Sequence, residues 1–320
     1  PRPTPLYSSA ASDVYKRQGL ACASFAVLNH FSLVDALVVA VSAAAGQFVR
    51  GSLARKKARQ LASVSAGAVT ACLTFWVVIQ LLGLAGVVSA QAAAPGFVAS
   101  VLFVVPGFPL FSAMIDLSRF DFAAGISRLF YAVTLIAAAT LSVALVSWVT
   151  GLEPPTHVPQ VGDPRFFIRA GFASFIGISG FALLFNSSRR MVLIAATTGT
   201  VGNLARLALI YAGATAYAGA FVGGLTIGLL GWVAAKKARI PRTTTTIPAA
   251  VIMIPGPSMF ASIYALNVGD MQLGVTAAAT AVLTVLSIGT GMVVARMLTD
   301  RAWLYGQHID LDAPLPPSAS

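Results

Sequence analysis

Charged residues are scarce in this chain: they make up 10% of its 320 residues, whereas apolar residues make up 57%. A soluble domain carries about 25% charged residues, so a water-soluble globule, and with it a soluble enzyme, is excluded. Histidine and cysteine are also rare, with three and two copies. Because Cys22 and Cys72 both lie inside apolar runs, we interpret them as small core residues rather than a disulfide or a metal site. No Ser-His-Asp or metal-ligand pattern occurs at readable spacing, so we predict neither a catalytic site nor a cofactor.

What the sequence does contain is a series of apolar runs of about 20 residues, the length that crosses a ~30 Å hydrocarbon core as an α-helix. Helices suit this setting because each one satisfies its own backbone hydrogen bonds inside lipid. The mean hydropathy of +0.83 agrees with that interpretation. We therefore predict an all-α integral membrane protein of about ten transmembrane helices.

The first eighteen residues do not share this pattern. Ser8–Gln18 has the sequence SSAASDVYKRQ, and its back-translation resembles, in frame, the adapter used in transposase-based sequencing libraries. Processing scars of this kind are left out of fold reasoning. We expect residues 1–18 to be adapter-derived, and the native sequence to begin near Gly19, part-way into the first apolar segment of an N-terminally truncated protein.

From Gly19 onward the sequence predicts one short apolar segment and nine fuller spans. A polar tail follows at residues 299–320, which we expect to be disordered. The predicted segments are Gly19–Asn29, Leu33–Val49, Ser63–Leu84, Pro95–Ile115, Phe122–Val149, Phe166–Phe185, Met191–Tyr211, Ala214–Ala235, Ile247–Leu266 and Met271–Ala295.

Lysine and arginine fall almost entirely in loops on one side of these spans, here called the basic face. The opposite face has only Arg165 and Arg169. Because cytoplasmic loops are enriched in lysine and arginine, we predict a multi-pass protein of a bacterial plasma membrane with both termini in the cytoplasm. This asymmetry, rather than nucleic-acid binding, explains the net charge of +11, and we expect the basic loops to contact anionic lipid. The residues of the basic face are Arg50, Arg55, Lys56, Lys57, Arg59, Arg119, Arg189, Arg190, Lys236, Lys237, Arg239, Arg242, Arg296 and Arg301.

The two halves of the chain resemble each other. Pro106-Gly107 recurs as Pro255-Gly256, 149 residues later, and the same offset pairs Asp121 with Asp270. Each half holds five predicted spans, an odd number, so the second half must enter the membrane upside down. We therefore predict two inverted five-helix repeats, residues 19–150 and 165–298. Further pairs are Phe111 and Phe260, Leu117 and Leu266, Gly125 and Gly274 and, at an offset of 156, Gly46 and Gly202, and Arg50 and Arg206.

Both Pro-Gly pairs lie inside predicted spans. Proline removes a backbone donor and glycine permits unusual dihedral angles, so carbonyl and amide groups become free inside the membrane. In inverted-repeat transporters such interrupted helices form the substrate site near the midplane. The alternative is that both pairs are packing kinks, since proline and glycine are common in membrane helices.

The segment FVVPGFPLFSAMIDLSRFDFAAGISRLFYA at Phe103–Ala132 resembles the threonine/serine exporter (ThrE) family. The second half, with Arg239-Ile240-Pro241 ahead of its Pro-Gly pair, is similar to the family's C-terminal domain. The resemblance covers nearly all of Gly19–Leu298. It implies export of threonine and serine from the cytoplasm, driven by the proton motive force. The family's pattern of Pro-Gly, two Asp, Gly and Arg falls here on Pro106, Gly107, Asp116, Asp121, Gly125 and Arg128.

Ionisable groups at membrane depth are costly, and each is therefore a candidate for function. Arg128 could receive a substrate carboxylate or pair with Asp121, seven residues earlier on the same helical face. It could also be a structural ion pair or extend to the interface. For Arg206 we favour a structural role, because no acidic partner is evident in the sequence.

Proton coupling requires a carboxyl group whose pKa is raised toward neutrality by burial. Asp116, Asp121 and Asp270 are the candidates, with solvated loop caps as the alternative interpretation of each. Tyr264 could hydrogen-bond an amino acid or bond between helices. The predicted substrate and ion pathway consists of Pro106, Gly107, Asp116, Asp121, Arg128, Pro255, Gly256, Tyr264 and Asp270.

These features predict a secondary transporter, not an enzyme, whose partners are a small-molecule substrate, protons and membrane lipid. Relatives of the same architecture imply small dicarboxylates such as succinate as alternative substrates. A passive channel is the alternative from another class, and it would need no proton gradient.

Overall fold

The computed structural model describes residues 5–88, 96–151 and 164–305, and every regular element in these ranges is helical. The prediction of an all-α protein is confirmed for these residues. The helices are α1 Pro5–Leu28, α2 Leu33–Arg55, α3 Gln60–Leu84, α4 Phe97–Val101 with a 3₁₀ turn at Leu102–Val104, α5 Gly107–Leu117, α6 Phe122–Thr150, α7 Pro164–Leu184, α8 Arg189–Tyr211, α9 Ala216–Ala238, α10 Arg242–Val251, α11 Gly256–Asn267, α12 Met271–Thr299 and α13 Arg301–Leu304.

The elements occur in the same order in both halves. Three long helices are followed by two short helices that meet at a bend, and then by one long helix; α1–α6 form the first set and α7–α12 the second. The bends measure 57° between α4 and α5 and 53° between α10 and α11. Within the described ranges, seven helices are long and apolar enough to cross a membrane, or nine if each bent pair is one span. The chain is thus a multi-pass membrane protein, and the number of ten spans stays a prediction.

Short polar side chains define where several helices begin. Ser32 and Asp35 form a reciprocal capping box ahead of α2, in which each side chain accepts a hydrogen bond from the other residue's backbone N–H. Ser188 and Thr215 cap α8 and α9 in the same position. These caps satisfy backbone donors that a helix start leaves without partners, so they locate the loops at the two ends of the bundle.

Several helix boundaries differ from the sequence predictions, notably at the first helix, at α2 and at the C-terminal tail. The first helix begins at Pro5 instead of near Gly19, because residues 6–18 contain neither proline nor glycine to interrupt it. α2 continues past Val49 to Arg55 and reaches 23 residues, which is enough for a full crossing. The prediction of disorder from residue 299 is wrong at its start, since Arg301–Leu304 is helical and Trp303 is buried; residues 306–320 lie outside the described residues.

The closest helix packing in the second half is between α9 and α12. A Cβ atom on Gly224 would overlap the carbonyl oxygen of Ile288, and one on Gly291 would overlap the carbonyl oxygen of Phe221. Small residues that let helix backbones approach are the usual basis of helix association in lipid, where no hydrophobic force drives helices together. The two helices therefore meet backbone to backbone.

We expect Gly224→Ala to destabilise the protein by about 1–3 kcal/mol, because the new methyl group must displace backbone rather than a flexible side chain. Thermal unfolding of the purified protein in detergent measures the effect. Gly171→Ala is the matched control, since a Cβ there meets only Leu204 at 3.8 Å. A Gly224→Ala protein that melts with the control would contradict the backbone contact.

Candidate functional site

Each Pro-Gly break is a tight three-residue turn. The N–H of Gly107 donates to the carbonyl of Val105 at 2.9 Å, and the N–H of Gly256 donates to the carbonyl of Ile254 at 2.8 Å. The central prolines have φ/ψ of −81°/69° at Pro106 and −80°/59° at Pro255, the values of an inverse γ-turn. The helix is interrupted at both sites with the same geometry.

The two breaks pack against each other reciprocally. A Cβ on Gly107 would lie 2.6 Å from Cγ2 of Val251, and a Cβ on Gly256 would overlap Cδ2 of Leu102. Val251 follows Leu102 by the same 149 residues that separate the two glycines. Each break therefore rests on the turn that precedes the other break, which is the contact pattern of a two-fold relation.

Asp121 and Asp270 have the same role at the starts of α6 and α12. The side chain of Asp121 accepts a hydrogen bond from the N–H of Ala124 at 3.1 Å, and that of Asp270 accepts one from Leu273 at 3.0 Å. Both carboxylates are exposed. The geometry supports the loop-cap interpretation of these two residues.

Arg128 pairs with Asp116. The sequence had suggested Asp121 as its partner instead. Helical spacing alone placed Arg128 and Asp121 on one face, but the turn between α5 and α6 brings Asp116 closer while Asp121 caps the helix start. The Asp116 side chain is 18% exposed and that of Arg128 is 49% exposed. The equivalent residues in the second half are Ala265 and Ala277, so only the first half carries this ion pair.

A cavity of about 530 Å³, here called the Arg206 cavity, lies beside the second break. Ile254 and Pro255 line it at the break, and Thr284 lines it from α12. The cavity lies at the end of the bundle opposite the basic face, because His30 and Gly213, which line it, belong to loops at that opposite end. The break thus forms part of a cavity wall.

Arg206 is the one charge that projects into this region from α8 among the described residues. Its Nε donates to Oδ1 of Asn203 at 2.9 Å, and Nδ2 of Asn203 donates to the hydroxyl of Ser174 at 2.8 Å. It makes no ion pair within residues 5–88, 96–151 and 164–305. Sequence reasoning did not select Arg206 for lack of an acidic partner, yet that lack leaves the guanidinium available to an anion.

His30 contributes an uncharged ring to the same cavity. It stacks on Phe166 at 4.0 Å between ring centroids. Burial lowers the pKa of His30 below its ordinary value, and the positive charge of Arg169 acts in the same direction. The imidazole is therefore neutral at pH 7.

A second cavity, here called the Trp303 cavity, has a volume of about 250 Å³ and lies at the basic face. Arg242 lines it from the first turn of α10, Arg296 from the last turns of α12, and Trp303 from α13. Gly228, Thr246 and Met292 form its inner wall.

A buried apolar layer separates the two cavities. Along α12 they are eight residues apart, from Thr284 to Met292, which is about 12 Å of helix at 1.5 Å per residue. Val285 and Ile288 fill that interval and are buried. Along α10 the interval contains Ile247 and Val251, also buried.

The family models now separate the possible assignments. One described as threonine/serine exporter, ThrE, matches residues 170–298, and a companion threonine/serine exporter model matches residues 17–149. This chain belongs to the threonine/serine exporter family. No curated protein and no solved structure matches it. The resemblance seen in the sequence is confirmed, and the members of this family are transporters and not enzymes.

In this exporter-family chain, a third and much smaller cavity is the counterpart of the Trp303 cavity. Its volume is about 10 Å³, and Tyr264 lines it. Five of its lining residues become lining residues of the Trp303 cavity when the 149-residue offset is applied. The pairs are Phe97 and Thr246, Val143 and Met292, Ala144 and Val293, Ser147 and Arg296, and Tyr264 and Ile115.

The predicted pathway residues do not form one cluster in the exporter chain. Pro255 lines the Arg206 cavity and Tyr264 lines the small one, while Asp116, Asp121 and Arg128 lie at the basic face and Asp270 at the opposite face. Their role in transport stays a prediction. Arg206 was considered from the sequence and given a structural role, Arg296 was named only as a residue of the basic face, and Trp303 was not singled out.

We expect Asp121→Asn to retain both thermal stability and export, because asparagine caps helices as well as aspartate does. Asp121→Ala should lose about 1 kcal/mol of stability, since the N–H of Ala124 loses its acceptor. Thermal unfolding and efflux measured on the same preparations test both statements. Loss of efflux by a stable Asp121→Asn protein would contradict a role of Asp121 limited to helix capping.

Proposed function

We propose that this chain is a secondary transporter that exports threonine and serine from the cytoplasm, coupled to proton entry, by alternating access of two inverted repeats. Family membership supports the substrate class. The observation that carries the mechanism is the pair of cavities at opposite ends of the bundle, separated by about 12 Å of buried helix. A site that is open to both faces at once would be a channel, whereas separate cavities beside a broken helix suit a transporter.

The difference between the two halves supports a cycle of two states. The Trp303 cavity of the second half holds about 250 Å³, while its first-half counterpart holds about 10 Å³. If the inverted repeats exchanged conformations, the Trp303 cavity would close and its first-half counterpart would open. The structure therefore corresponds, under this proposal, to one of two related states.

The counterpart of the Arg206 cavity supports the same proposal. The side chain of Gln60 donates a hydrogen bond to the hydroxyl of Tyr131, and Phe108 meets Phe185 edge to face at 5.7 Å. These two contacts join three first-half positions and one second-half position, Phe185, whose equivalents in the other half line the open Arg206 cavity. The equivalents are Ala216, Thr280, Pro257 and Asn29.

Proton coupling is assigned here to Asp116. It is more buried than Asp121, and its carboxylate pairs with Arg128 at the basic face. Loss of the negative charge of Asp116 would release Arg128 and change the contacts between α5 and α6. Asp121 and Asp270 are occupied as helix caps.

We expect cells that contain this protein to release preloaded threonine faster than cells with an empty vector. An uncoupler should abolish the difference, because export then loses its proton gradient. Radiolabelled threonine efflux, with protein quantified in the membrane fraction, makes the measurement.

Three other results would change the assignment. Efflux that is insensitive to the uncoupler would favour a passive channel. Succinate efflux without threonine efflux would favour a dicarboxylate exporter. Efflux that persists in Asp116→Asn with unchanged uncoupler sensitivity would remove Asp116 from the coupling step.

The inverted arrangement predicts opposite accessibility of equivalent loops. Arg119 and Val268 are exposed residues 149 positions apart, in the α5–α6 and α11–α12 turns. In a Cys22→Ala, Cys72→Ala background, we expect Val268→Cys to react with an impermeant maleimide in intact cells and Arg119→Cys to react only after permeabilisation. Labelling of both from one face would contradict the inversion.

A further inference from the structure

The Trp303 cavity contains buried hydrogen-bond donors that have no acceptor. Trp303 is 7% exposed, its Nε1 has no hydrogen-bond partner among the described residues, and it lines the cavity. Nε of Arg296 is also buried without a partner and lines the same cavity. Indole and guanidinium N–H groups can only donate, and buried donors are almost always satisfied in folded proteins. The cavity therefore has the polarity of a site for an acceptor.

The charges around this cavity favour an acceptor that is an anion. Arg242 and Arg296 both line it, and Arg119 lies within electrostatic range of Arg296. Asp300 is the acidic group within range of Arg242 and Arg296. Among the described residues, three guanidinium groups and one carboxylate therefore interact electrostatically in this region, which leaves a positive balance.

The surrounding contacts hold these groups in place. One terminal nitrogen of Arg242 donates to the hydroxyl of Thr299 at 2.8 Å, and the other donates to the carbonyl of Gly228 at 2.7 Å. The guanidinium of Arg296 lies 5.1 Å from the ring centre of Trp303. Trp303 is fixed in turn because Asp300 caps its short helix, accepting from the N–H of Trp303 at 3.1 Å. A preorganised set of donors binds a ligand at lower entropic cost.

From this geometry we infer that the Trp303 cavity binds the carboxylate group of the exported substrate at the basic face, with Nε1 of Trp303 and Nε of Arg296 as donors to that carboxylate. This inference rests on the proposed function. About 250 Å³ is below the 300–1,000 Å³ of pockets for drug-sized ligands, so the site takes a small molecule. The counterpart at the opposite face has Ser147 in place of Arg296, so the binding site is one-sided. An exporter that loads at the basic face needs its carboxylate site there.

The phosphate of an anionic lipid headgroup has the same acceptor chemistry, and the experiment must distinguish it. The full chain is purified into nanodiscs of neutral phosphatidylcholine, and binding is measured by isothermal titration calorimetry. The probes are threonine, threonine methyl ester, succinate and glycerol phosphate. We expect threonine to bind and its methyl ester, which lacks the carboxylate, to bind about tenfold more weakly, the loss expected for one hydrogen bond to a charged group.

Two variants test the named donors. Trp303→Phe removes the indole N–H and keeps an aromatic ring, and Arg296→Lys keeps the charge and removes Nε. Each should weaken threonine binding about tenfold, whereas Trp232→Phe, the same change at a residue of α9 that does not line the cavity, should leave it unchanged. Size-exclusion profiles confirm that all three are folded.

The outcomes separate this inference from the proposed function. Threonine efflux with binding that both donor variants leave unchanged would overturn the carboxylate site while the exporter function stands. Succinate binding that is sensitive to both variants, without threonine binding or efflux, would support the carboxylate site and overturn the threonine assignment. Glycerol phosphate binding that is sensitive to both variants, without binding of either carboxylate, would assign the cavity to a lipid headgroup and overturn the inference.

Discussion

Inside lipid a backbone group that loses its helical partner must find another within the protein. Pro106 and Pro255 impose this constraint, and at each break a γ-turn supplies a local hydrogen bond. Each break also packs against the residues that precede the other break. Because Gly107 rests on Val251 and Gly256 on Leu102, each broken span packs against the other half. The positions of α5 and α11, and of the cavity beside Pro255, follow from that mutual contact.

Much of this arrangement could be predicted from the sequence because it depends on local spacing. The 149-residue offset identified both breaks and both capping aspartates, and apolar runs located the long helices. The partner of Arg128 could not be predicted, since the α5–α6 turn decides between two carboxylates. The Arg206 cavity could not be predicted either, because empty space depends on residues far apart in the chain. Trp303 was missed because a polar segment of a few residues has no readable period.

The same offset that makes the halves alike also identifies where they differ. Gln60 and Tyr131 occupy positions that Ala216 and Thr280 occupy in the second half, and Ser147 stands where the second half has Arg296. Large polar or aromatic side chains fill the first half where small ones leave room in the second. Charge follows the same division, since the ion pair of Asp116 and Arg128 belongs to the first half and the arginine-lined cavity to the second. The two halves therefore share an order of elements and differ in the side chains and charges that they present.

The backbone contact between α9 and α12 has a mechanical consequence. Side chains that lie between two helices can change rotamer, and these changes let the helices slide past each other. At Gly224 and Gly291 no side chains separate the two backbones, so α9 and α12 must move together as one rigid unit. This rigid unit forms part of the wall of each cavity. Ala216 and Thr284 line the Arg206 cavity at one end, and Gly228 and Met292 line the Trp303 cavity at the other. When such a unit tilts about its middle, its two ends move in opposite directions. A tilt that widens the cavity at one end therefore narrows the cavity at the other.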